Sequence, residues 1–416
     1  MLSVFFLNEC INKEKNKSDA GSKYSEYAGS ASCIKCHKNI YDSHIKTAHF
    51  QTSSLASQES IRGSFKEGEN KFVFTNDRVV SMEKRADSFY QVAYINGIEK
   101  KSQRFDIVIG SGTKGQSYAS WVGNKLVQMP ITYFTSANQW CNSPGYPDRI
   151  AFNRPITSRC LECHTTYVEK TSDEGVEPES FDKNKMLLGV DCEKCHGPAA
   201  KHVEFQTQNP DEKKGKFIIN PAAFSRQQIL DLCALCHGGR LEKIKPSFEF
   251  TAGDKLTDYF RIDTVGRSVD AIDVHGNQFG LLQASKCFQM STTLTCITCH
   301  NSHENEKGNV ALFSQRCLSC HNNSHDVGMT CKMTATLGAV INQNCTRCHM
   351  PEQPSMAIAV LLQGNPFPVP ATMHTHLIKI YPEETKKVIA FLKKETATEQ
   401  KIIKEKASVL NNKKRG

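Results

Sequence analysis

The spacing of apolar and polar residues divides the chain before any motif is considered. Residues 11–31 are polar and rich in Lys, Ser and Gly, the composition of a flexible linker. Just beyond, Ile40, His44 and Ile45 fall near one face at helical spacing. From Lys71 to Tyr133 the rhythm is that of short strands: KFVFT, RVVSMEKR, SFYQVAYI, RFDIVIG, QSYASWV and KLVQMPITYF, separated by turn pairs such as Asn96-Gly97 and Gly123-Asn124. An antiparallel meander is the expected outcome. The glycine-rich run from Gly110 to Gly115 lacks the spacing and the Lys-Ser/Thr end of a phosphate loop, and is read as a hairpin turn.

A Pro/Gly-rich connection from Trp140 leads to Cys160, after which residues 160–349 read as short helical segments. Ser225 to His237 has a serine cap and leucine spacing suited to a helix. Pro351 to Pro370 is proline-spaced and apolar. Pro382 opens a helix with acids at its start and lysines at its end, and the Lys-rich tail to Gly416 is expected to be solvated.

The chemistry lies in a repeated string. Cys-x-x-Cys-His occurs seven times, at Cys33/Cys36/His37, Cys160/Cys163/His164, Cys192/Cys195/His196, Cys233/Cys236/His237, Cys296/Cys299/His300, Cys317/Cys320/His321 and Cys345/Cys348/His349. The Cys and His frequencies of this chain predict roughly 0.03 such strings by chance. In each, two thiols can add across the vinyl groups of a haem while the adjoining imidazole becomes the proximal ligand of its iron. Zinc ribbons pair their Cys-x-x-Cys units to complete a tetrahedral site and do not need the histidine, and thioredoxin-type motifs come singly. The expected cofactor is seven covalently bound haem c groups.

Eight histidines remain for the far sides of seven irons: His44, His49, His202, His275, His303, His325, His374 and His376. That supply is close to complete bis-histidine ligation, the state of a low-spin electron-transfer haem. His202, His303 and His325 follow their own units too closely to reach around the haem, and each is expected to ligate a neighbouring one. One of His44/His49 and one of His374/His376 are expected to ligate, and Met350 is not. Outside the units stand Cys10, Cys141, Cys287 and Cys331, and a Cys287–Cys331 bridge is conceivable in an oxidising compartment.

Composition now has a different meaning. Only 39% of the 416 residues are hydrophobic and two are Trp, modest for a core unless porphyrin fills it. The formal charge of +9 falls to between roughly +2 and −5 once seven haems bring their propionates. Nucleic acid is not indicated, since no basic-aromatic interleaving occurs. Covalent haem attachment takes place outside the bacterial cytoplasm, so an exported, periplasmic or cell-envelope protein is expected. Leu7-Asn8-Glu9-Cys10 is similar to a lipoprotein signal, with Glu9 where a small residue is usual. Lipidation of Cys10 with membrane anchoring, a plain secretory signal and a different start are the readings open.

With these residues in view, the chain resembles the multihaem c-type cytochromes that include the tetrahaem electron acceptor of ammonia oxidisers, octahaem hydroxylamine oxidoreductase and pentahaem nitrite reductase. The resemblance rests on CEKCHGPAAKH at 192–202, TCITCHNSH at 295–303 and CTRCHMP at 345–351, and covers roughly 30–50 and 155–380. It implies stacked haem pairs, an exported location and axial roles for His202 and His303. The Cys-x-x-Cys-Lys unit usual in pentahaem nitrite reductases is not present, and the units number seven where the hydroxylamine oxidoreductase pattern has eight.

The expected organisation is a signal-like start and linker (1–31), a first haem segment (32–60), a β insert (61–140), a six-haem domain (141–381) and a C-terminal helix with basic tail (382–416). The expected fold is mainly α and irregular, a haem-packed core with an inserted antiparallel meander. The expected function is respiratory electron transfer along a haem chain, between a quinol-linked donor and a terminal reductase or other cytochrome. The alternative is an oxidoreductase of nitrite or hydroxylamine in which one haem, at His37 or His349, keeps an open position; a third is a structural subunit whose β insert binds a partner.

Overall fold

The computed structural model of the chain describes residues 22–146, 148–262, 277–321 and 331–394. Helix of all kinds covers about 34% of the described residues and strand about 26%. The expectation of a mainly α core with a self-contained β insert is therefore corrected, because the sheet is larger than the insert and is completed from both sides of it.

Strand β1 (Ser53–Leu55) follows the first Cys-x-x-Cys-His unit directly. Next come β2 (Lys71–Thr75), β3 (Arg78–Arg85), β4 (Ser88–Ile95) and β5 (Ile98–Arg104), a four-stranded meander in sequential order. Then β6 (Ile107–Ile109), β7 (Gly115–Val122), β8 (Lys125–Gln128), β9 (Ile131–Phe134), β10 (Gln139–Asn142) and β11 (Arg154–Pro155) contribute to a second, nine-stranded sheet. Two short hairpins follow, β12 (Thr165–Lys170) on β13 (Phe181–Leu188) and β14 (Leu241–Lys243) on β15 (Phe260–Ile262). Finally β16 (Glu352–Leu362) and β17 (Val369–His374) close the large sheet after the seventh unit. Its order is β1-β6-β7-β9-β10-β16-β17, with β8 on β7 and β11 on β8. Curling arises at β7, whose first residues pair with β9 and whose last pair with β8.

The alternation in β2 to β4 turns Phe72, Val80, Met82 and Phe89 inward, where they meet Phe105 and, from the large sheet, Tyr118, Ile131 and Trp140. Trp140, 2% exposed, satisfies its indole by donating Nε1–H to Ser64 O at 2.7 Å. Buried Gln91 ties the sheets together, donating to Ile131 O at 2.6 Å and accepting from Ile131 N at 3.0 Å. Glycine is required at 63, because a Cβ there would lie 2.0 Å from the Trp140 ring. Gly63→Ala should lower stability by about 1–3 kcal/mol through overpacking. Scanning calorimetry of the two proteins checks this, and an unchanged transition would refute it.

The Gly110–Gly115 run is the turn from β6 to β7, with Gly110 and Gly112 at φ +106 and +79. Seven helices carry the Cys-x-x-Cys-His units or lead into them: α1 (Ile34–His44), α2 (Ser158–His164), α3 (Cys192–His196), α4 (Arg226–His237), α5 (Cys296–Cys299), α6 (Val310–Leu318) and α7 (Cys345–His349). Around α4 a separate core gathers Leu230, Leu235, Leu256, Phe260 and Phe279. Residues 382–394 are helical. Among the described residues no helix is long and apolar enough to cross a membrane.

Candidate functional site

A Cys-x-x-Cys on a helix puts both sulfurs on one face, a single turn apart, with the histidine at the helix end. The chain builds each unit by local means. Asp191 caps α3, its Oδ1 accepting from Cys192 N at 2.7 Å. Ser225 and Gln228 form a capping box that starts α4 twelve residues before His237. In α1 the helix breaks at His37 itself (φ −119, ψ 34), so the imidazole leaves the helical path next to its two cysteines.

The polypeptide does not cover the units equally. Cys36 is an exposed thiol, because residues 35–40 form one exposed run of α1 that no other element covers. Cys320 and His321 are exposed as well, since both fall beyond the end of α6 on a turn with Ser319, whose Oγ lies 3.9 Å from Cys320 Sγ. Cys160 of the second unit is likewise exposed. The motif specifies the bond chemistry of Cys36, Cys320 and His321 but not their burial, and apolar cover at these positions is left to the macrocycle itself.

Pairs of imidazoles face one another from distant parts of the chain. His49 and His237 have ring centres 6.1 Å apart, His196 and His303 6.2 Å, and His300 and His376 6.1 Å. Metal–imidazole bonds of about 2 Å on both faces of an iron put the two ring centres about 6.3 Å apart. The residues therefore fit haem, since each pair joins a histidine of an attachment unit to a histidine from outside one. His303 also lies 6.2 Å from His44, but neither of those two belongs to an attachment unit.

Second contacts orient these rings. A ligating imidazole characteristically donates its Nδ1–H to a carbonyl or similar acceptor, leaving Nε2 for the metal. His196 Nδ1 lies 2.9 Å from Ile219 O, His349 Nδ1 3.1 Å from Lys379 O and His376 Nδ1 3.3 Å from His374 O. His164 Nδ1 lies 3.0 Å from Thr52 Oγ1, and His237 Nδ1 3.4 Å from Gln278 Oε1. Thr52 and Gln278 carry no sequence signal for this role, as only packing brings them to the rings. The loop with His300 and His303 is held by Arg316, which donates to Cys299 O at 2.6 Å and to both oxygens of Glu306. Glu306 in turn accepts from Asn301 N at 3.0 Å. Glu193, within the third unit, accepts from the backbone N–H of Ala28, Gly29 and Ala199, fastening the segment before α1 to α3.

Burial among neighbouring segments, followed by the fields of His237, His44 and His300, pushes His49 down from 6.5 to about 4. Burial and His300 do the same to His376, also to about 4. Both rings are thus kept neutral, the form that binds iron. Folded imidazoles that release protons more readily than unfolded ones stabilise the protein fully above pH 6.5 and cease to do so as pH falls toward 4.

The attachment thiols also meet. Cys33 and Cys192 lie close enough to shift each other's titration, as do Cys163 and Cys236, Cys233 and Cys296, and Cys317 and Cys345. Each contact joins two different units as a pair of thiols, and among the described residues no three His, Cys, Asp or Glu side chains converge as a zinc site requires.

The other histidines named from the sequence are placed as follows. His44 is buried with both ring nitrogens against backbone carbonyls, Nδ1 3.3 Å from Ser302 O and Nε2 3.2 Å from Val190 O. His202 Nδ1 lies 2.8 Å from Lys216 O, and His374 Nδ1 2.7 Å from Met350 O. Among the described residues neither faces another histidine at axial spacing. His275, His325 and Cys10 lie outside the described residues. Cys287 and Cys331 are free thiols, so the bridge considered between them is not formed. Cys141 is fully buried, pushed up to about 12 by burial, and donates to Thr132 O.

Comparison with known proteins agrees with this chemistry. Residues 144–197, which hold the second and third units, match the family model described as cytochrome c554 and c-prime. A stretch of 100 residues is 27% identical to the C-type polyheme cytochrome OmcC of Geobacter sulfurreducens, covering 24% of this chain and 12% of that protein. The fold is similar to the crystal structure of the outer cell wall cytochrome OcwA, with TM-score 0.52 and 16% identity over 87% of this chain and 81% of that one. In its motifs and opposed imidazoles, as in these partial likenesses, the chain is similar to multihaem c-type cytochromes.

Proposed function

We propose that the chain is a seven-haem electron carrier of the cell envelope that passes electrons between a quinol-linked donor and a terminal reductase or another cytochrome. When bound, haem iron supplies the reversible one-electron chemistry that the side chains lack. What the chain supplies is closure and contiguity. Closure is supported by the opposed pairs: His237, His196 and His300 would hold three of the haems, and His49, His303 and His376 stand where they would close the other side. An iron closed on both faces exchanges electrons without binding a substrate, which favours the carrier.

Contiguity is the observation that carries the reading. Thiol contacts join units one and three, two and four, four and five, and six and seven. Cys195 of unit three lies near enough to Cys233 of unit four to raise it, and Arg316 bonds the carbonyl of Cys299 from the helix that begins unit six. The units thus run one-three-four-five-six-seven, with unit two joined at four. Attachment outside the cytoplasm motivates the envelope location, with Cys10 as a lipid anchor.

Intact mass and a pyridine haemochrome assay should give seven haems per chain, and low-temperature EPR of the oxidised protein only low-spin ferric signals. A different count refutes the seven-haem reading. Stoichiometric binding of nitrite or cyanide to one haem would replace the carrier with an oxidoreductase.

A further inference from the structure

The residues that follow the first unit reach several others. His49 faces His237, and its carbonyl accepts from Val190 N at 2.9 Å, beside the third unit. Gly189 approaches so closely that a Cβ would lie 2.3 Å from Phe50 O. Thr52 meets the His164 ring. At the head of this segment stands His44, 8% exposed, whose helical position and company of histidines make it a natural axial candidate.

Its geometry argues otherwise. An axial imidazole must direct a bare nitrogen at iron about 2 Å away. At His44 a carbonyl oxygen occupies that direction from each nitrogen, Ser302 O at 3.3 Å and Val190 O at 3.2 Å, with Asp191 Oδ1 3.8 Å from Nε2. The two carbonyls belong to the residues next to His303 and next to the Asp191 cap of α3, that is, to the two backbone segments carrying the opposed pair His196–His303.

We propose that His44 is the positioning residue of the His196–His303 pair and not an axial ligand: its ring is packed between the two segments, donating to one carbonyl when neutral and to both when protonated, and so sets the separation and tilt of the two imidazoles. The proposal rests on reading that pair as the two axial ligands of one iron. The relative tilt of axial rings and the hydrogen bonds behind them govern the g values and the potential of a low-spin haem, so His44 acts on the iron through its ligands.

The test uses the full-length holoprotein and its His44→Ala, His44→Gln and His303→Ala variants, read by intact mass and redox-poised EPR. Both His44 variants should retain the wild-type haem mass and the same number of low-spin irons. His44→Ala should shift the g values of one low-spin species. Gln, which still offers an N–H to one carbonyl, should shift it less. His303→Ala should turn that same species high-spin. A high-spin iron in His44→Ala would make His44 a ligand, and a spectrum identical to wild type would make it a bystander; either overturns the proposal. If His44→Ala does not mature, the Gln variant decides: shifted g values with every iron low-spin support the role, and an unshifted or high-spin spectrum overturns it. All irons low-spin in His303→Ala would instead overturn the axial pairing itself.

Discussion

His49→Ala turns one low-spin iron high-spin in a protein that keeps all its covalent haems. Attachment depends on Cys233, Cys236 and the other unit cysteines, which the substitution does not touch. The far face is different, for the His237 ring has His49 6.1 Å across from it, held neutral by its surroundings. Alanine offers no donor atom, so the iron held by His237 should be left five-coordinate or take water. Cyanide binding should rise from none to one per chain, with a matching high-spin EPR signal. Low-spin spectra unchanged by His49→Ala would remove this pairing.

The chain made without haem should keep its sheets and lose the rest. Trp140, Tyr118, Phe105, Phe89 and Met82 form a side-chain core that needs no cofactor. Near the attachment units the balance is reversed: Ile40, Met290 and Ile297 are 49%, 76% and 54% exposed within a few residues of unit histidines or cysteines. A haem burying several hundred Å² of apolar surface contributes on the order of 10 kcal/mol. A whole domain keeps a net stability of only roughly 5–15 kcal/mol. Expression without haem ligation should therefore give a product whose 192–349 region is cut rapidly by protease while 71–142 resists. Equal resistance in both regions would show that side chains alone sustain the unit-bearing half.

Local signals were readable where structure is local. Strands β2 to β4 match the alternation of KFVFT, RVVSMEKR and SFYQVAYI residue for residue. Strand β5, IEKKSQR, has no such alternation because it is a solvated edge, where charge discourages further pairing. Prolines at 354, 366, 368 and 370 disguised β16 and β17, and nothing local announces that Cys141 pairs with Leu362. The same division runs through the site. Haem attachment is written in five consecutive residues, but how much polypeptide covers a unit is not: Cys348 is buried, whereas Cys36, Cys160 and Cys320 are exposed. Opposition of two rings is decided by the path of the chain, and spacing alone left His44 and His49, or His374 and His376, unresolved.

The sheet's last partner has a bearing on how the protein is made. Strand β10 waits for β16, and β16 begins at Glu352, after the seventh unit ends at His349. In a chain that emerges amino end first, every cysteine to be modified is delivered before the final strand can dock. Ligation thus meets an unfinished, accessible substrate, and closure of the sheet becomes a late step of biogenesis that follows chemistry already done.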